Sequence, residues 1–477
     1  MKGRFYMKKI IAILMCLVFT LTIMSCAASE EEIIPEYNSR VSGDIDLLGK
    51  TFVYGMEQSY FFEGADSTLG YINTTEFADL AAKRLDDVEN KLNCKIEIRY
   101  ESDAAQSAYY TVATGERTFD FIQDESYSLT NYAISGIFYD LSILENINAT
   151  NEEKWGSRYL LSPMMWNGAL YGVVPVQHPL KAENSPTGII AVNESMIRTL
   201  GLVDPRDYFE NDNWIYSTFT DCLLNYAHTN NSGDYVYSFI TSGDGWLYRT
   251  ASFSNGGELV TINDDGTYDM GLFSSNVLVA LEQVYEWMTG PTGNNIMYVG
   301  STVTEDNLND GNGVMALIDA YQVLSGTSSV AYNLDDFGIV PFPSGPNVEP
   351  GTFKTSFESA DFVVSIPISV DDPEQSALVL DYIYEPFEGY ETKEAVLDYL
   401  TRNYFHDDRD AEFFTSITDK DHTFYFDFLH GIQGQIMGMH SNTKTPVEYL
   451  DSIRDQHSSL IEQYVLPVYK TINELYE

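Results

Sequence analysis

In the first part of the chain, short apolar segments alternate with segments whose apolar residues recur at helical spacing. Thr74 or Thr75 is the predicted N-cap of the first helix. Alternation of strand and helix is typical of a parallel sheet joined by crossover helices, which predicts an α/β fold. The predicted strands are Thr51–Met56, Lys95–Tyr100 and Phe119–Gln123, and the predicted helices are Phe77–Leu92, Ala104–Thr114 and a segment through Asn131.

A second series of strands and helices follows further along. At 477 residues the chain is too long for one small core, so two α/β lobes are predicted. The strands of the second series are predicted at Gly188–Asn193, Gly313–Leu317, Asp336–Pro341 and Phe362–Ile366, and the helices at Glu194–Leu200 (ended by Gly201), Phe219–His228, Leu278–Met288, Glu374–Ile383 and Pro446–Tyr476.

The stretch MMWNGALYGVVP, Met164–Pro175, lies between the two series. Its Asn-Gly pair is flanked by apolar residues, which is a strong signal for a two-residue hairpin turn. Trp166 and Tyr171 either belong to the ordinary core or mark the place where two lobes meet around a ligand. We expect them to pack at a hinge rather than to hold a ligand, and we expect His178, soon after, to be structural.

The charge of the chain is unusual: 26 Lys and Arg stand against 71 Asp and Glu, for a formal net charge of −45. Such a surface repels nucleic acid and anionic lipid headgroups, which excludes both as expected partners. Repulsion between such acidic surfaces also favours a monomer, and the negative charge attracts cationic ligands. The apolar fraction of 44% is that of an ordinary globular protein.

The first residues have the features of a targeting segment. Lys2, Arg4, Lys8 and Lys9 precede an apolar run, Ile10–Met24, and that run ends in Ile-Met-Ser-Cys. This ending resembles the lipoprotein box of bacteria, which implies cleavage before Cys26 and lipidation of its thiol; a plain secretory signal is the alternative. Residues 1–25 are therefore predicted to be a signal peptide and residues 26–45 an acidic, lipidated tether.

Few residues suggest metal, cofactor or catalytic chemistry. Cys94 and Cys222 lie in a strand-like and a helix-like segment, so buried free thiols are predicted. The acidic stretch Asn263–Gly266 is predicted to be a hairpin turn, because an EF-hand would need Gly and Glu where Tyr268 and Ser274 stand. No nucleophile elbow, zinc-protease or phosphate-loop motif is found, so no enzyme, metal or cofactor is predicted.

Several segments, taken in order, resemble the extracellular solute-binding proteins of ABC importers, specifically the sugar-binding, maltose-binding-protein-like group (family 1). Two positions depart from the family pattern: Val192 replaces the usual Tyr, and Glu194 the usual Lys. The resembling segments are Thr118–Ser142, WNGALYGVVP, GIIAVNESMIRTLGLVDP, Gly245–Met270, NGVMALID, Asp336–Pro346 and DDPEQSALVLDYIY.

The resemblance implies a two-lobed, periplasmic-binding-protein-like fold of type II, in which each lobe is a sheet flanked by helices and a hinge joins the lobes. The chain is then expected to cross between lobes near Leu161–Met165, Ser359–Phe362 and Phe405–Glu412. These crossings predict a first lobe of residues 46–163 and 360–405, and a second lobe of residues 164–359 and 406–477.

Ligands of two-lobed α/β proteins lie beyond the carboxyl ends of the strands, where loop amides and helix N-termini converge. That rule selects four loops: Glu57–Tyr60, Glu101–Asp103, Asp124–Tyr127 and Asp244–Arg249. The resemblance points to the third and fourth. The predicted ligand-binding residues are Gln58, Glu101, Asp124, Glu125, Tyr127, Asp244, Trp246 and Arg249.

These residue types suit a sugar, because carboxylates accept from hydroxyl groups, Arg donates in a fork, and an aromatic ring covers the C–H face. Trp246 stands where the family places a stacking aromatic residue. Instead of contacting a ligand, Asp124 and Glu125 could lie in a solvated loop or place negative charge at a helix N-terminus.

The predicted function is that of a lipid-anchored solute-binding protein on the outer face of a bacterial cell membrane. It would capture an oligosaccharide between its lobes and deliver it to the permease subunits of an ABC importer, touching the membrane only through its anchor. The alternatives are a cationic or peptide solute on the same fold, a lipid-anchored glycan hydrolase, and a surface adhesin or sensor.

Overall fold

The computed structural model describes residues 45–57, 67–73, 75–181, 186–263, 265–300, 304–324, 329–356, 362–405, 407–417, 431–441 and 443–476. The predicted signal peptide, almost all of the tether with Cys26, and Gln58 therefore lie outside the described residues, as does the side chain of Tyr127.

The strands confirm most of those predicted from the sequence. They are β1 Lys50–Glu57, β2 Ser67–Thr68, β3 Tyr71–Ile72, β4 Cys94–Glu101, β5 Phe121–Glu125, β6 Met165–Trp166, β7 Ala169–Leu170, β8 Ile189–Asn193, β9 His228–Thr229, β10 Tyr235–Thr241, β11 Thr261–Ile262, β12 Tyr268–Asp269, β13 Ile296–Tyr298, β14 Gly313–Ile318, β15 Phe337–Pro341 and β16 Phe362–Ser365.

The helices also follow the predicted pattern, and Thr75 caps the first of them through a bond from the Ala78 amide. They are α1 Glu76–Leu92, α2 Ala104–Thr114, α3 Ser126–Ile134, α4 Glu152–Trp155, α5 Glu194–Leu200, α6 Pro205–Glu210, α7 Tyr216–Asn225, α8 Asp244–Ser254, α9 Ser275–Thr289, α10 Thr304–Asn309, α11 Ala320–Leu324, α12 Val330–Asn333, α13 Pro373–Ile383, α14 Lys393–Asn403, α15 Asp408–Ser416, α16 Ile432–Met437, α17 Pro446–Leu460 and α18 Leu466–Tyr476.

The first sheet has the strand order β16–β5–β1–β4. Strand β1 runs parallel to β4 and β5, and β16 is antiparallel to β5. Phe52, Tyr54 and Met56 of β1 are buried, and their burial contributes to the core under the crossover helices. The carboxyl ends of β1, β4 and β5 meet at one edge, as the predicted parallel sheet requires.

The second sheet has the strand order β13–β10–β14–β8–β15, in which β10 is parallel to β13 and β14, and β8 is antiparallel to β14 and β15. Strand β10, in the interior of this sheet, was not predicted. The predicted helix Phe219–His228 is also partly wrong: it begins earlier, at Tyr216, and ends at Asn225, because His228 starts β9 and pairs with Val236 of β10.

The predicted hairpin is confirmed. Asn167 has φ 51° and Gly168 has φ 78°, and Trp166 pairs with Ala169 across this left-handed turn. The chain that follows packs on the first sheet: the Val173 amide donates to the Val364 carbonyl at 3.0 Å. The Trp166 ring lies 6.2 Å from that of Tyr464, just before α18.

The chain moves from the first sheet to the second between Lys181 and Thr187. Lys181 Nζ donates to the Leu69 carbonyl beside β2 at 2.9 Å, whereas the Thr187 amide donates to the Ser356 carbonyl at 2.9 Å. The exact lobe boundaries stay a prediction.

Two further expectations for this part of the fold are confirmed. Cys94 and Cys222 are buried free thiols, and burial raises the pKa of each to about 11. His178 is fully buried; its Nε2 lies 3.1 Å from the Glu385 carbonyl, and its ring packs on Phe387.

Candidate functional site

Five carboxylates gather at the carboxyl edge of the first sheet. Glu57 of β1 pairs in register with Glu101 of β4, and Asp124 and Glu125 end β5 on the other side. Asp103 follows β4 and caps α2. The register of the parallel strands therefore brings together three predicted site residues, Glu101, Asp124 and Glu125. The Glu101 carboxylate accepts a bond from the Ser107 hydroxyl at 3.2 Å.

Asp124 is only 2% exposed and is held by main-chain donors. Its Oδ2 accepts from the Ala105 amide at 2.7 Å, in the first turn of α2, and its Oδ1 accepts from the Glu125 amide at 2.7 Å. Burial raises the pKa of Asp124 to about 6, against the effect of these bonds. The carboxylate thus stabilises the start of α2, which is the helix-terminus role considered for it; ligand contact by Asp124 stays a prediction.

Glu57 is a site residue that the sequence did not single out, although its loop was selected. Its Oε2 is buried and has no hydrogen-bond partner within the described part of the chain. Burial, and then the negative charges of Glu125, Asp124 and Asp103, raise its pKa to about 8. The Glu57 carboxyl is therefore largely protonated at neutral pH, when it can donate as well as accept.

The segment Asp244–Arg249, predicted to be a loop, is instead the first half of helix α8. The helix begins where β10 ends, at the carboxyl edge of the second sheet. Gly245 explains the error. A Cβ there would lie 2.4 Å from the Met437 carbonyl oxygen at the end of α16, so this glycine permits close helix packing rather than a turn.

Asp244 joins α8 to a distant part of the chain. Its Oδ2 accepts from the Ser441 amide at 2.7 Å, and its Oδ1 lies 3.4 Å from His440 Nδ1. Burial acts to raise the pKa of Asp244, but the bonds from Ser441 and His440 outweigh it and hold that pKa below its ordinary value. Asp244 therefore stays ionised and able to accept bonds from a ligand.

Trp246 and Arg249 lie one above the other on α8. The Arg249 guanidinium carbon is 5.3 Å from the centre of the Trp246 ring and 5.8 Å from that of Phe253. Arg249 is 1% exposed and donates from Nη2 to the Ser356 hydroxyl at 2.7 Å, whereas Trp246 is partly exposed. The arrangement makes Trp246 the accessible surface and Arg249 its support.

Tyr298 is a further candidate that the sequence did not reveal. It ends β13, is 46% exposed, and lies beside α8. Burial of part of the side chain, together with the Asp244 charge and a hydrogen bond to Asp244, raises the pKa of its hydroxyl. His440 and Ser441 belong to the same group, and they come from a segment with no local motif, so only the fold identifies them.

The site residues thus form two groups, one at the carboxyl edge of each sheet. The first contains Glu57, Glu101, Asp103, Asp124 and Glu125; the second contains Asp244, Trp246, Arg249, Tyr298, His440 and Ser441.

Among the described residues, no set of three or more His, Cys, Asp or Glu side chains is arranged to hold a metal ion. Within the same residues, no helix combines the length and the apolar character that crossing a membrane demands.

No family model matches the sequence, and no curated protein matches it. Solved structures do match by fold. A cyclo/maltodextrin-binding protein complexed with maltotetraose has a TM-score of 0.56 and 11% identity, covering 87% of this chain and 98% of that one. An ABC substrate-binding protein from Listeria monocytogenes in complex with cycloalternan has a TM-score of 0.54 and 12% identity, with coverage of 87% and 99%.

A third structure is UgpB from Mycobacterium tuberculosis in complex with glycerophosphocholine, with a TM-score of 0.55, 14% identity and coverage of 89% and 100%. At such identities the match concerns the fold. The chain therefore has the two-lobed α/β fold of the solute-binding proteins of ABC importers, the class that its sequence resembles.

Proposed function

We propose that this protein is a solute-binding protein that captures a carbohydrate between its two lobes and delivers it to an ABC permease. The observation that carries the proposal is the group in the first half of α8: a partly exposed Trp246 ring backed by the Arg249 guanidinium, with the ionised Asp244 at the first position of the same helix. An exposed aromatic ring and an ionised carboxylate at the same end of one helix suit a sugar, which has an apolar C–H face and hydroxyl donors at its edge.

The similar structures support this ligand class to a first approximation. Two of the three carry an oligosaccharide, maltotetraose in one and cycloalternan in the other. The fold is shared by many ligands, so the choice of a carbohydrate depends on the residues of this chain.

Capture by closure of the lobes is consistent with the way the chain joins the two sheets. Ser356 accepts from the Thr187 amide through its carbonyl and from Arg249 through its hydroxyl. These two bonds connect the chain segments at Thr187 and Ser356, which lead between the sheets, to the helix that carries Trp246. Ligand contacts made with both lobes exist only in the closed state, so a ligand shifts the population toward closure.

The test is calorimetry and thermal shift with a panel of linear gluco- and manno-oligosaccharides, using the wild-type protein and Trp246→Ala. We expect stabilisation of the wild type by at least one oligosaccharide, compaction in small-angle scattering, and a loss of affinity of about tenfold or more in the variant. Trp166→Ala is the matched control, because Trp166 packs at the hairpin. Absence of any stabilisation across the panel, or an equal loss in both variants, would contradict the proposal.

A cationic solute is a second candidate, favoured by one observation. Burial, and then the negative charges of Glu125, Asp124 and Asp103, raise the pKa of Glu57 to about 8, and a bound cation would relieve the repulsion among these carboxylates. The UgpB structure contains glycerophosphocholine. Salt dependence separates the candidates: binding of a polyamine or choline compound should weaken steeply as ionic strength rises, whereas binding of a neutral sugar should barely change.

We also propose that the protein is attached to the outer face of the membrane by a lipid on Cys26 and meets its permease there. The sequence before Cys26 supports this proposal. Metabolic labelling with a palmitate analogue should label the wild-type protein but not Cys26→Ser. Release of the wild type into the medium without label would contradict an anchor and favour a plain secretory signal.

A further inference from the structure

Helices α2 and α3 form a neutral surface on a strongly acidic protein. Their sequences, AAQSAYYTVAT and SYSLTNYAI, contain no charged residue, although charged residues make up 20% of the chain. The preceding helix α1, in contrast, contains EFADLAAKRLDDVENKL, with eight charged residues in seventeen. Since a net charge of −45 covers the surface with carboxylates, a neutral helix pair needs its own explanation.

Tyrosine rings cover the exposed part of this surface. Tyr109 is 39% exposed and Tyr110 is 58% exposed, while Ala104, Ala105 and Ala108 face the core. The Tyr109 ring centre lies 5.8 Å from that of Tyr110 and 5.4 Å from that of the partly exposed Tyr132 on α3. We name these three residues the tyrosine platform. The rings contact one another, so their orientation is set before any ligand arrives.

The tyrosine platform adjoins the acidic edge of the first sheet. Burial, and then the negative charge of Asp103, raise the pKa of the Tyr132 hydroxyl, and a hydrogen bond with Gln106 acts in the opposite direction. Asp103 is the N-cap of α2 and one of the charges that act on Glu57. Helix α2 begins directly after Asp103 and α3 begins directly after Glu125, so both helices that carry the platform start at the acidic edge. A ligand held at that edge can therefore extend along these helices toward the platform.

We propose that the tyrosine platform is a stacking subsite for the sugar units of an oligosaccharide that is longer than the cleft can enclose. The inference rests on the proposed function and deepens it, since it names long, neutral glycan chains as the preferred ligands. Each phenol offers an apolar face to the C–H side of a hexose and a hydroxyl group to its edge.

The chemistry of the surface favours a neutral sugar chain over the other candidate occupant, a protein surface of the permease. A protein partner of a highly acidic protein would gain its orientation from charge complementarity, and these two helices offer no charge. Uncharged amide and hydroxyl groups, such as those of Gln106 and Asn131, instead suit hydroxyl groups. Because the platform lies on elements of the first sheet alone, its contacts do not require closure.

The test is calorimetry with linear gluco- and manno-oligosaccharides of two to ten units, using the wild type and Tyr109→Ala/Tyr110→Ala. We expect the double variant to lose about tenfold in affinity for the longest chains that bind, and to keep its affinity for the shortest. Tyr109→Phe/Tyr110→Phe should retain most of the affinity for long chains, because the rings remain. Tyr332→Ala removes a tyrosine that is 71% exposed on α12 and is the matched control. Equal thermal unfolding of all variants excludes a folding defect.

Each other outcome is decisive. If the Tyr109→Ala/Tyr110→Ala variant keeps its affinity for long chains, the platform is not a subsite. The same holds if its affinities for long and short chains fall by the same factor. Either result leaves the proposed function intact. Unchanged affinity combined with a loss of uptake through the permease assigns the surface to the permease and also overturns the inference. Failure of every oligosaccharide to bind the wild type overturns the proposed function, and the platform with it.

Discussion

The Arg249 guanidinium lies under the Trp246 ring, with 5.3 Å between its carbon and the ring centre, and it also binds the Ser356 hydroxyl at 2.7 Å. One buried side chain thus connects the candidate stacking ring to the segment that leads toward the first sheet. Through these two contacts, Arg249 can hold α8 in place against Ser356, from which the chain leads toward the first sheet.

Arg249→Ala is expected to lower the free energy of unfolding by about 2–4 kcal/mol, because it leaves a cavity and removes a partner of Ser356. Urea denaturation followed by Trp fluorescence measures the change. Arg454→Ala is the control, since Arg454 stacks on Phe273 at 4.1 Å but is about half exposed, and its loss should change stability by about 0.5 kcal/mol or less. Equal effects of the two substitutions would contradict a supporting role for Arg249.

Gly245→Ala is expected to destabilise the protein by about 1–3 kcal/mol, because the added methyl group would meet the Met437 carbonyl at 2.4 Å. Gly243→Ala is a close control: Gly243 has an extended φ of 173°, and nothing lies within 4 Å of its added Cβ. Thermal unfolding of the two variants should separate them clearly. A stable Gly245→Ala variant would show that α16 does not pack tightly on α8.

Glu57→Gln is expected to change how stability depends on pH. The folded-state pKa of Glu57 is raised to about 8 from an ordinary value of 4.5, so the protonated form is favoured in the folded state. The stability gained from the protonated Glu57 carboxyl is fully present below pH 4.5 and is lost as the pH rises through the folded-state pKa of about 8. The wild type should therefore lose more thermal stability than the variant across this range. Melting temperatures at pH 4 to 9 test this, with the exposed Glu116→Gln as control; parallel curves would refute it.

Asp410→Ala is expected to cost about 3–5 kcal/mol of stability, because it breaks a buried ion pair and leaves Arg206 without that partner. Asp410 is 1% exposed; its Oδ2 accepts from Arg206 at 2.6 Å and its Oδ1 accepts from the Ile339 amide at 2.9 Å. The Asp407 carboxylate lies 4.0 Å from Arg206, is more exposed, and caps α15. Asp407→Ala should therefore lower the free energy of unfolding by only about 1 kcal/mol. Chemical denaturation measures both, and a small loss for Asp410→Ala would indicate that Asp410 does not anchor α15 to α6 and β15.

Features that depend on neighbouring residues could be predicted from the sequence. The Asn167-Gly168 turn forms because both residues tolerate positive φ, and Gly201 ends α5 in a left-handed conformation for the same reason. Strand β4 follows from apolar residues at a period of two, β1 from a short apolar run, and α1 from a period of 3.6. The order of these elements indicated a two-lobed α/β fold.

The tertiary structure decided the arrangement of the site, because the interactions concerned join distant parts of the chain. Gly245 suggested a loop in the sequence, yet it lies in a helix that Met437 approaches closely. Asp244 is bound by Ser441, 197 residues away, and no local pattern encodes that contact. The burial of Asp124 and the raised pKa of Glu57 likewise depend on strand register and on neighbouring charges, which exist only once the sheet has formed.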